Sequence, residues 1–266
     1  MCRSTMQHSL QQRLKDICSV SKRVGAYEHH PRSAEQRARK FGSQMLQLGY
    51  RCSYLSWQHG GVGAYDPGLA YNVMTGAWNQ PGTLWISAHH DYCGGLGAAD
   101  NGTGLAVMLE VAAQLPREQR NSVAFTSFGF EEQSLGGSKN FVENYSDTVG
   151  QIGGFLNLEC LGVQDWQTVI VTRRLRRIRS DKQLVKLMRR ANPNYRPMIC
   201  PEVFTGDSIP FQRAGVPVVE LMGYPTDGAT NPIHTAADLP EGIDFGEVET
   251  VVNTILKFVE VWTNGH

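Results

Sequence analysis

Short apolar runs rich in β-branched residues alternate along this chain with segments of helical periodicity. Runs this short predict strands buried on both faces, and their alternation with helices predicts an α/β layer structure. The predicted strands are residues 83–88, 122–128, 153–158, 168–172 and 217–222. The predicted helices are residues 33–48, 104–115 and 246–262, with Ser33 as the cap of the first and Gly49 as its end. We therefore expect a three-layer α/β/α fold on a mixed, mostly parallel central sheet.

The length and composition fit one globular domain. The chain has 266 residues, of which 41% are apolar and 19% charged. These values allow a large core and argue against disorder. Because no internal repeat or linker divides the chain, we expect a single domain over residues 1–266, with an N-terminal helical segment, 1–48, packed onto it. The sequence carries no signal of oligomeric state.

The net charge and the polar N-terminus limit the partners and the cellular location that we expect. The 25 basic residues balance the 25 acidic ones, so the chain has no general attraction to nucleic acid. No apolar run approaches the roughly 18–20 residues of a membrane span, and we expect no membrane partner. The polar N-terminus lacks the apolar segment of a secretory signal, which favours the cytoplasm; secretion is the alternative if a leader has been removed.

The six cysteines are scattered, with no CxxC pattern, and this is typical of reduced thiols. Two of them, Cys93 and Cys160, lie close in sequence to the candidate site described next. Neither belongs to a nucleophile motif, so we interpret both as neighbours of that site.

Acidic and imidazole side chains follow several of the predicted strands. They are His89, His90, Asp91 and then Asp100 after the first run, Glu131 and Glu132 after the second, Glu159 after the third, and His234 after the last. Ligands bind beyond the carboxyl ends of strands in open α/β sheets. Carboxylates gathered there would repel one another without a cation. Their oxygens and the imidazoles suit zinc, with manganese or cobalt as alternatives, and the number of carboxylates favours a pair of metals.

The spacing of these residues indicates different roles. Along an extended segment His89 and Asp91 point to the same side while His90 points away, so Asp91 can accept a hydrogen bond from the far nitrogen of a metal-bound His89. The adjacent Glu131 and Glu132 cannot both face one ion from the same direction. One of them can bind metal while the other accepts a proton from the attacking water.

Five blocks then follow in a fixed order: SAHHDYC with GAADNGTGLAVMLEVA, FGFEEQSLGGSKNF, LNLECLG, GDSIPFQRAGVPVVEL and IHTAADLPEGID. Their order and spacing resemble the zinc-dependent aminopeptidase family of bacterial leucyl aminopeptidase, over roughly residues 20–262. The earlier block SAEQRARKFGSQMLQLGYRC resembles the opening helix and strand of that family. One departure is Glu159, since many relatives carry aspartate at this position.

The resemblance implies a co-catalytic pair of zinc ions. The implied ligands are His89, Asp100 and Glu159 for one ion and Asp100, Glu132 and His234 for the other. The resemblance also implies Glu131 as the general base, Asp91 as the residue that orients His89, and a cis peptide bond after Asp100. The implied reaction is hydrolysis of the N-terminal peptide bond in a peptide or small amide substrate with a free N-terminus. Tyr224 and Phe204 are candidates for the wall of the substrate pocket.

Two other functions compete with this interpretation. The block GDSIPFQRAGVPV also resembles glutaminyl cyclases, which use a single zinc, although Ile233 precedes His234 where cyclases carry tryptophan. A non-catalytic homologue that keeps its ligands is the second alternative. The tract 173–190 holds nine Arg or Lys residues and one acid, which suggests contact with nucleic acid or an acidic peptide. We expect instead the solvated face of a helix whose Leu184, Leu187 and Met188 pack inward.

Overall fold

The computed structural model of this chain describes residues 3–59, 68–174, 178–200 and 206–265. The strands are β1 (Val24–His29), β2 (Cys52–His59), β3 (Gly68–Gly76), β4 (Leu84–His89), β5 (Cys93–Gly95), β6 (Val123–Phe128), β7 (Gly154–Glu159), β8 (Trp166–Arg174), β9 (Ile178–Arg179), β10 (Arg196–Cys200) and β11 (Val218–Pro225). The α-helices are α1 (Arg3–Cys18), α2 (Pro31–Gln47), α3 (Thr103–Gln114), α4 (Gly136–Asn144), α5 (Ser146–Val149), α6 (Lys182–Ala191), α7 (Ser208–Arg213) and α8 (Phe245–Thr263). Single turns lie at Ala98–Gly102, Arg117–Ser122 and Pro240–Gly242.

Within the described residues, nine strands form one sheet in the order β10-β8-β11-β7-β4-β6-β3-β2, with β9 beside β8. The central strands β11, β7, β4 and β6 run parallel. Antiparallel pairs lie towards both edges. The strands β1 and β5 form a separate antiparallel ribbon. This mixed α/β arrangement, with parallel strands at its centre, confirms the predicted fold class.

Helices cover both faces of the sheet because alternate residues of the central strands are apolar on both sides. In β4, Leu84 and Ile86 belong to the core beneath α1, α3 and α8, whereas Trp85 points to the opposite core. That opposite core contains aromatic rings from the sheet, α4 and α7; the rings of Phe155 and Phe211 are 4.2 Å apart between centroids. The result is a rigid platform whose strand ends are held in fixed positions.

All five predicted strands are present, with ends shifted by one to three residues: β4, β6, β7, β8 and β11. The predicted helices at 104–115 and 246–262 correspond to α3 and α8. The strands β2, β3, β9 and β10 and the two strands of the ribbon were not predicted, because their apolar residues are too few to give a clear period.

The predicted start of the helix at residues 33–48 is wrong. Helix α2 begins at Pro31, and its N-cap is His30, whose ring nitrogen accepts a hydrogen bond from the backbone N–H of Ser33. Proline is well suited to the first helical position because its missing N–H has no partner there in any case. The hydroxyl of Ser33 instead accepts from the backbone N–H of Lys22, so it ties the preceding loop to the helix.

The basic tract is partly helical, as expected. Helix α6 buries Leu184, Leu187 and Met188, which confirms the predicted inward face. Residues 175–177 of the tract lie outside the described residues, as do Cys2 and the candidate pocket residue Phe204. Among the helices that the structure describes, none combines the length and the apolar character needed to cross a bilayer.

Candidate active site

The carboxyl ends of β7, β4 and β6 are neighbours in the sheet and carry four of the predicted site residues. His89 is the last residue of β4 and Glu159 is the last residue of β7. Glu131 and Glu132 follow the end of β6 through a turn in which Phe130 has a left-handed φ of 59°. Because these strands are parallel and adjacent, their ends place the side chains together over one edge of the sheet.

Asp100 lies between the two histidines. One carboxylate oxygen, Oδ1, is 3.0 Å from Nε2 of His89, and the other, Oδ2, is 3.2 Å from Nε2 of His234. The peptide bond between Asp100 and Asn101 is cis, as the resemblance implied. The side chain of Asn101 donates to the carbonyl of Leu158 at 2.7 Å, which attaches this turn to β7. The carboxylate can therefore face two cationic groups at once.

His89 completes a buried cluster on one side of Asp100. Its Nε2 lies 3.2 Å from Oε1 of Glu159. Its Nδ1 lies 3.0 Å from the backbone carbonyl of Asp91 and 3.6 Å from that residue's carboxylate. Burial opposes protonation of His89, but the negative charge of Glu159 and hydrogen bonds with Asp100 and Asp91 raise its pKa well above the ordinary value.

The carboxylate of Asp91 has partners that the sequence did not indicate. It accepts hydrogen bonds from the backbone N–H groups of Glu131 and Glu132, both at 3.1 Å. The closer contact to His89 is made by the Asp91 carbonyl. Asp91 therefore links the ring of His89 to the backbone that carries both glutamates.

His234 closes the cluster on the other side of Asp100. Its Nε2 lies 3.0 Å from Oε2 of Glu132. Its backbone has a left-handed φ of 60°, and its carbonyl accepts a hydrogen bond from the N–H of Tyr27 in the β1–β5 ribbon. Hydrogen bonds with Asp100 and Glu132 raise the pKa of His234 to about 11, although burial acts in the opposite direction. This residue is positioned by loop packing and lies outside the sheet.

Glu131 is buried next to this cluster. Burial raises the pKa of its carboxyl well above the ordinary value; the positive charge of His89 opposes this effect, whereas the carboxylates of Glu159 and Glu132 add to it. A carboxylate in such surroundings is a stronger base than one in water. His90 points away from the cluster, as expected, and its Nδ1 lies 2.9 Å from the hydroxyl of Ser127.

The donor atoms are suited to divalent cations. Within the described residues, His89, Asp100 and Glu159 form one group of three mutually close ligand atoms. Across the described ranges, Oε1 of Glu132 is buried and has no hydrogen-bond partner. Buried carboxylate oxygens without partners are costly, and a cation between the carboxylates and the imidazole rings would satisfy them. The residues present therefore suit metal ions held through oxygen and nitrogen.

A cleft of about 580 Å³ opens over this cluster. The site residues in its lining are Asp100, Glu131, Glu132, Glu159 and His234. Its apolar lining is formed by Leu135, Trp166, Ile209, Met222 and Ile233, with Tyr27 also present. The cations Lys139 and Arg213 line it too and are exposed, whereas the carboxylates are buried. Tyr224 is absent from the described lining.

Sequence reasoning did not single out two buried acids of the site. Asp238 accepts hydrogen bonds from the N–H groups of Ala99 and Asp100, at 2.7 and 3.1 Å, and so holds the turn that carries Asp100. Asp207 is fully buried, and burial raises its pKa to about 7. The signal for Asp238 was its place four residues after His234, in a segment that otherwise reads as a surface loop.

One family model matches most of this chain. The sequence model of peptidase family M28 matches residues 72–259. An aminopeptidase of Pseudomonas aeruginosa is 35% identical over 97 residues, which cover 35% of this chain. The matched segments amount to only 13–18% of the length of this and the other curated relatives.

Solved structures share the fold over nearly the whole chain. A zinc aminopeptidase from Bacillus subtilis has a TM-score of 0.78 at 14% identity, covering 95% of this chain and 94% of its own. A glutaminyl cyclase from an Acidobacteriales bacterium has a TM-score of 0.76 at 16% identity, covering 98% and 95%. At these identities the likeness establishes a common fold and does not identify the reaction.

Proposed function

Because this chain belongs to peptidase family M28, we propose that it is a metal-dependent aminopeptidase that removes the N-terminal residue of a peptide. The observation that carries the proposal is the position of Asp100, whose two oxygens face His89 and His234. A single carboxylate between two such sets is the arrangement that a bridged metal pair requires.

We assign one metal to His89, Asp100 and Glu159 and the other to Asp100, Glu132 and His234. Zinc suits these nitrogen and oxygen donors, with manganese or cobalt as substitutes. When bound, the metal pair would supply the Lewis acid that polarises the scissile carbonyl and lowers the pKa of water.

Glu131 is the general base in this proposal. Its carboxylate takes a proton from the attacking water and later gives it to the leaving amine. Asp91 holds the backbone N–H of Glu131 at 3.1 Å, which keeps the base at a fixed place beside the cluster. Because burial raises the pKa of its carboxyl, Glu131 is a stronger base than a carboxylate in water.

The charges of the cleft fit a short peptide with a free N-terminus. The buried carboxylates attract the substrate's ammonium group, while the apolar lining accepts a side chain. A volume of about 580 Å³ lies within the usual range of a small-ligand pocket.

The test combines metal analysis with a substrate panel. The protein is stripped with a chelator, reloaded with zinc, and assayed with aminoacyl anilides and with peptides that begin with glutamine. We expect two metals per chain and anilide hydrolysis that is lost in the stripped protein. One metal with cyclisation of N-terminal glutamine would assign the protein to the cyclases. Metal uptake with neither reaction would favour the non-catalytic homologue, and no uptake at all would end the proposal.

A further inference from the structure

Cys93 shares a cluster with two of the residues assigned above to the second metal. Its Sγ, a carboxylate oxygen of Glu132 and a ring nitrogen of His234 all lie within 4.8 Å of one another. The cysteine is 3% exposed and therefore buried. With zinc bond lengths of about 2.3 Å to sulfur and about 2.0–2.1 Å to nitrogen, ligands of one tetrahedral ion lie about 3.5 Å apart. The cluster is therefore compact enough to contract around a single cation.

Backbone packing holds Cys93 in this place. The first residue of β5 is Cys93, and it pairs with His29 of β1. At the next position, a Cβ on Gly94 would lie 2.6 Å from the carbonyl carbon of His234, so only glycine allows the two segments to pack this closely. Since β1 also binds the His234 carbonyl through Tyr27, one ribbon fixes both the thiol and the imidazole.

A second observation in the same cluster indicates a missing ligand. Glu132 is almost fully buried; its Oε2 contacts His234 at 3.0 Å, and its Oε1 has no hydrogen-bond partner among the residues that the structure describes. Among the described residues, this buried oxygen is left unpaired beside a thiol and an imidazole. A divalent cation at this point would satisfy all three groups.

We propose that Cys93 is a fourth protein ligand of the second metal, together with Asp100, Glu132 and His234. This proposal rests on the proposed function, because that function supplies the second metal. The thiol releases its proton to bulk water as the sulfur–metal bond forms, and the positive charge of the ion stabilises the thiolate among the carboxylates.

Two consequences follow from a sulfur ligand. A thiolate favours zinc over manganese or magnesium, so the two metals of one site would differ in preference. Four protein donors also leave a zinc ion without an open position, as in structural sites. The first set has three protein donors, and it therefore keeps the open position needed for water.

The test uses cobalt as a spectroscopic probe of the whole chain. Metal-free protein is titrated with Co²⁺, and the near-ultraviolet thiolate-to-cobalt charge-transfer band is recorded for the wild type, Cys93→Ser and Cys160→Ser. Cys160 is the matched control, because its Sγ lies 3.6 Å from Glu159 of the first set but belongs to none of the three-donor groups found among the described residues. We expect the band in the wild type and in Cys160→Ser but not in Cys93→Ser. The second-site affinity of Cys93→Ser should fall at least about tenfold.

A measurement on the unaltered protein covers the case in which Cys93→Ser does not fold. The ¹¹³Cd resonance of the cadmium-loaded wild type should show one ion shifted strongly downfield by sulfur and one without sulfur. Two oxygen- and nitrogen-type resonances, or two bound cobalt ions without the charge-transfer band, would overturn the Cys93 assignment and leave the proposed function intact. If the protein takes up no metal, the proposed function fails, and this inference fails with it.

Discussion

The neighbouring glutamates after β6 have side chains in different surroundings. Glu132 contacts His234 at 3.0 Å, whereas Glu131 is buried beside the cluster with a strongly raised pKa. Their backbones are held in the same way, because the Asp91 carboxylate accepts a hydrogen bond from the backbone N–H of each. In the proposed function, Glu132 binds metal and Glu131 transfers the proton, so adjacent positions carry different roles.

Exchange of each glutamate for glutamine should separate these roles. Glu131→Gln removes the proton acceptor and no assigned ligand, so the turnover number should fall about 10²–10⁴-fold with metal content unchanged. Glu132→Gln replaces an anionic ligand by a neutral amide, so zinc affinity should fall together with activity. Zinc content and turnover of both variants are the measurement. Loss of metal in Glu131→Gln with retention in Glu132→Gln would reverse the two assignments.

Asp238 should support metal binding without touching a metal. Its carboxylate accepts the N–H groups of Ala99 and Asp100, so Asp238→Asn places an amide NH₂ against one of these donors. We expect zinc affinity to fall about 10–100-fold with the fold retained, as measured by chelator competition. Glu241→Gln, an exposed acid in the following turn, is the matched control and should bind zinc normally. Equal affinities in both variants would show that the turn is held by other contacts.

The sequence predicts site residues best where a His or an acidic residue directly follows a strand. His89, Glu132 and Glu159 were predicted because each follows an apolar run. The partner of the Asp91 carboxylate was not predicted, because it depends on a contact between two loops that are distant in sequence. The place of Cys93 beside His234 depends on the close approach at Gly94, for which a single sequence gives no local signal.

Among the elements, α1 and α3 share a buried polar contact in addition to the apolar core. Glu110 of α3 accepts from Arg13 at 2.6 Å and from Ser9 at 2.7 Å, both in α1. Burial tends to raise the pKa of Glu110, but hydrogen bonds with Ser9, Arg13 and Gln114 hold it below the ordinary value of 4.5. Helix α3 was predicted from its apolar pattern, and α1 lies in the predicted N-terminal helical segment, whereas this polar contact between them appears only in the structure.

Glu110→Gln should lower the free energy of unfolding by about 1.5–3 kcal/mol at neutral pH. Because the folded pKa lies below the unfolded value, the carboxylate stabilises the fold above pH 4.5, and this contribution is lost as pH falls through the folded pKa. Urea unfolding at a series of pH values should therefore show a constant difference from the wild type above that point and a shrinking one below it. Glu35→Gln breaks an exposed pair with Arg39 and should have little effect. A difference that does not change with pH would show that the contact acts through packing alone.

For the molecule as a whole, the site is a source of instability without metal. Several buried carboxylates meet at one edge of the sheet, and burial, together with their mutual repulsion, raises the pKa of Glu131 and Glu132. The apolar pattern predicts helices on both sides of the sheet, because each central strand has apolar side chains on both of its faces. The same pattern cannot predict how loops far apart in sequence close over the strand ends.

Zinc should stabilise the whole fold through this site. A ligand that binds only the folded state at about 100 times its dissociation constant adds about 2.7 kcal/mol to the free energy of unfolding. Thermal unfolding with zinc should therefore occur at a higher temperature than after chelation. Zinc should raise the unfolding temperature of Glu131→Gln as much as that of the wild type and should raise that of Glu132→Gln less. An unfolding temperature that does not respond to zinc in the wild type would contradict the metal assignment.

The sequence order of the site residues bears on how the protein matures during synthesis. The last residue of the first set in chain order is Glu159, whereas the last residue of the second set is His234. Ribosomes make the chain from its N-terminus, and contacts between distant segments form late in folding. A nascent chain therefore presents the first set before the second, and we expect the first ion to be acquired earlier. Metal content of chains stalled before and after His234 emerges would reveal this order.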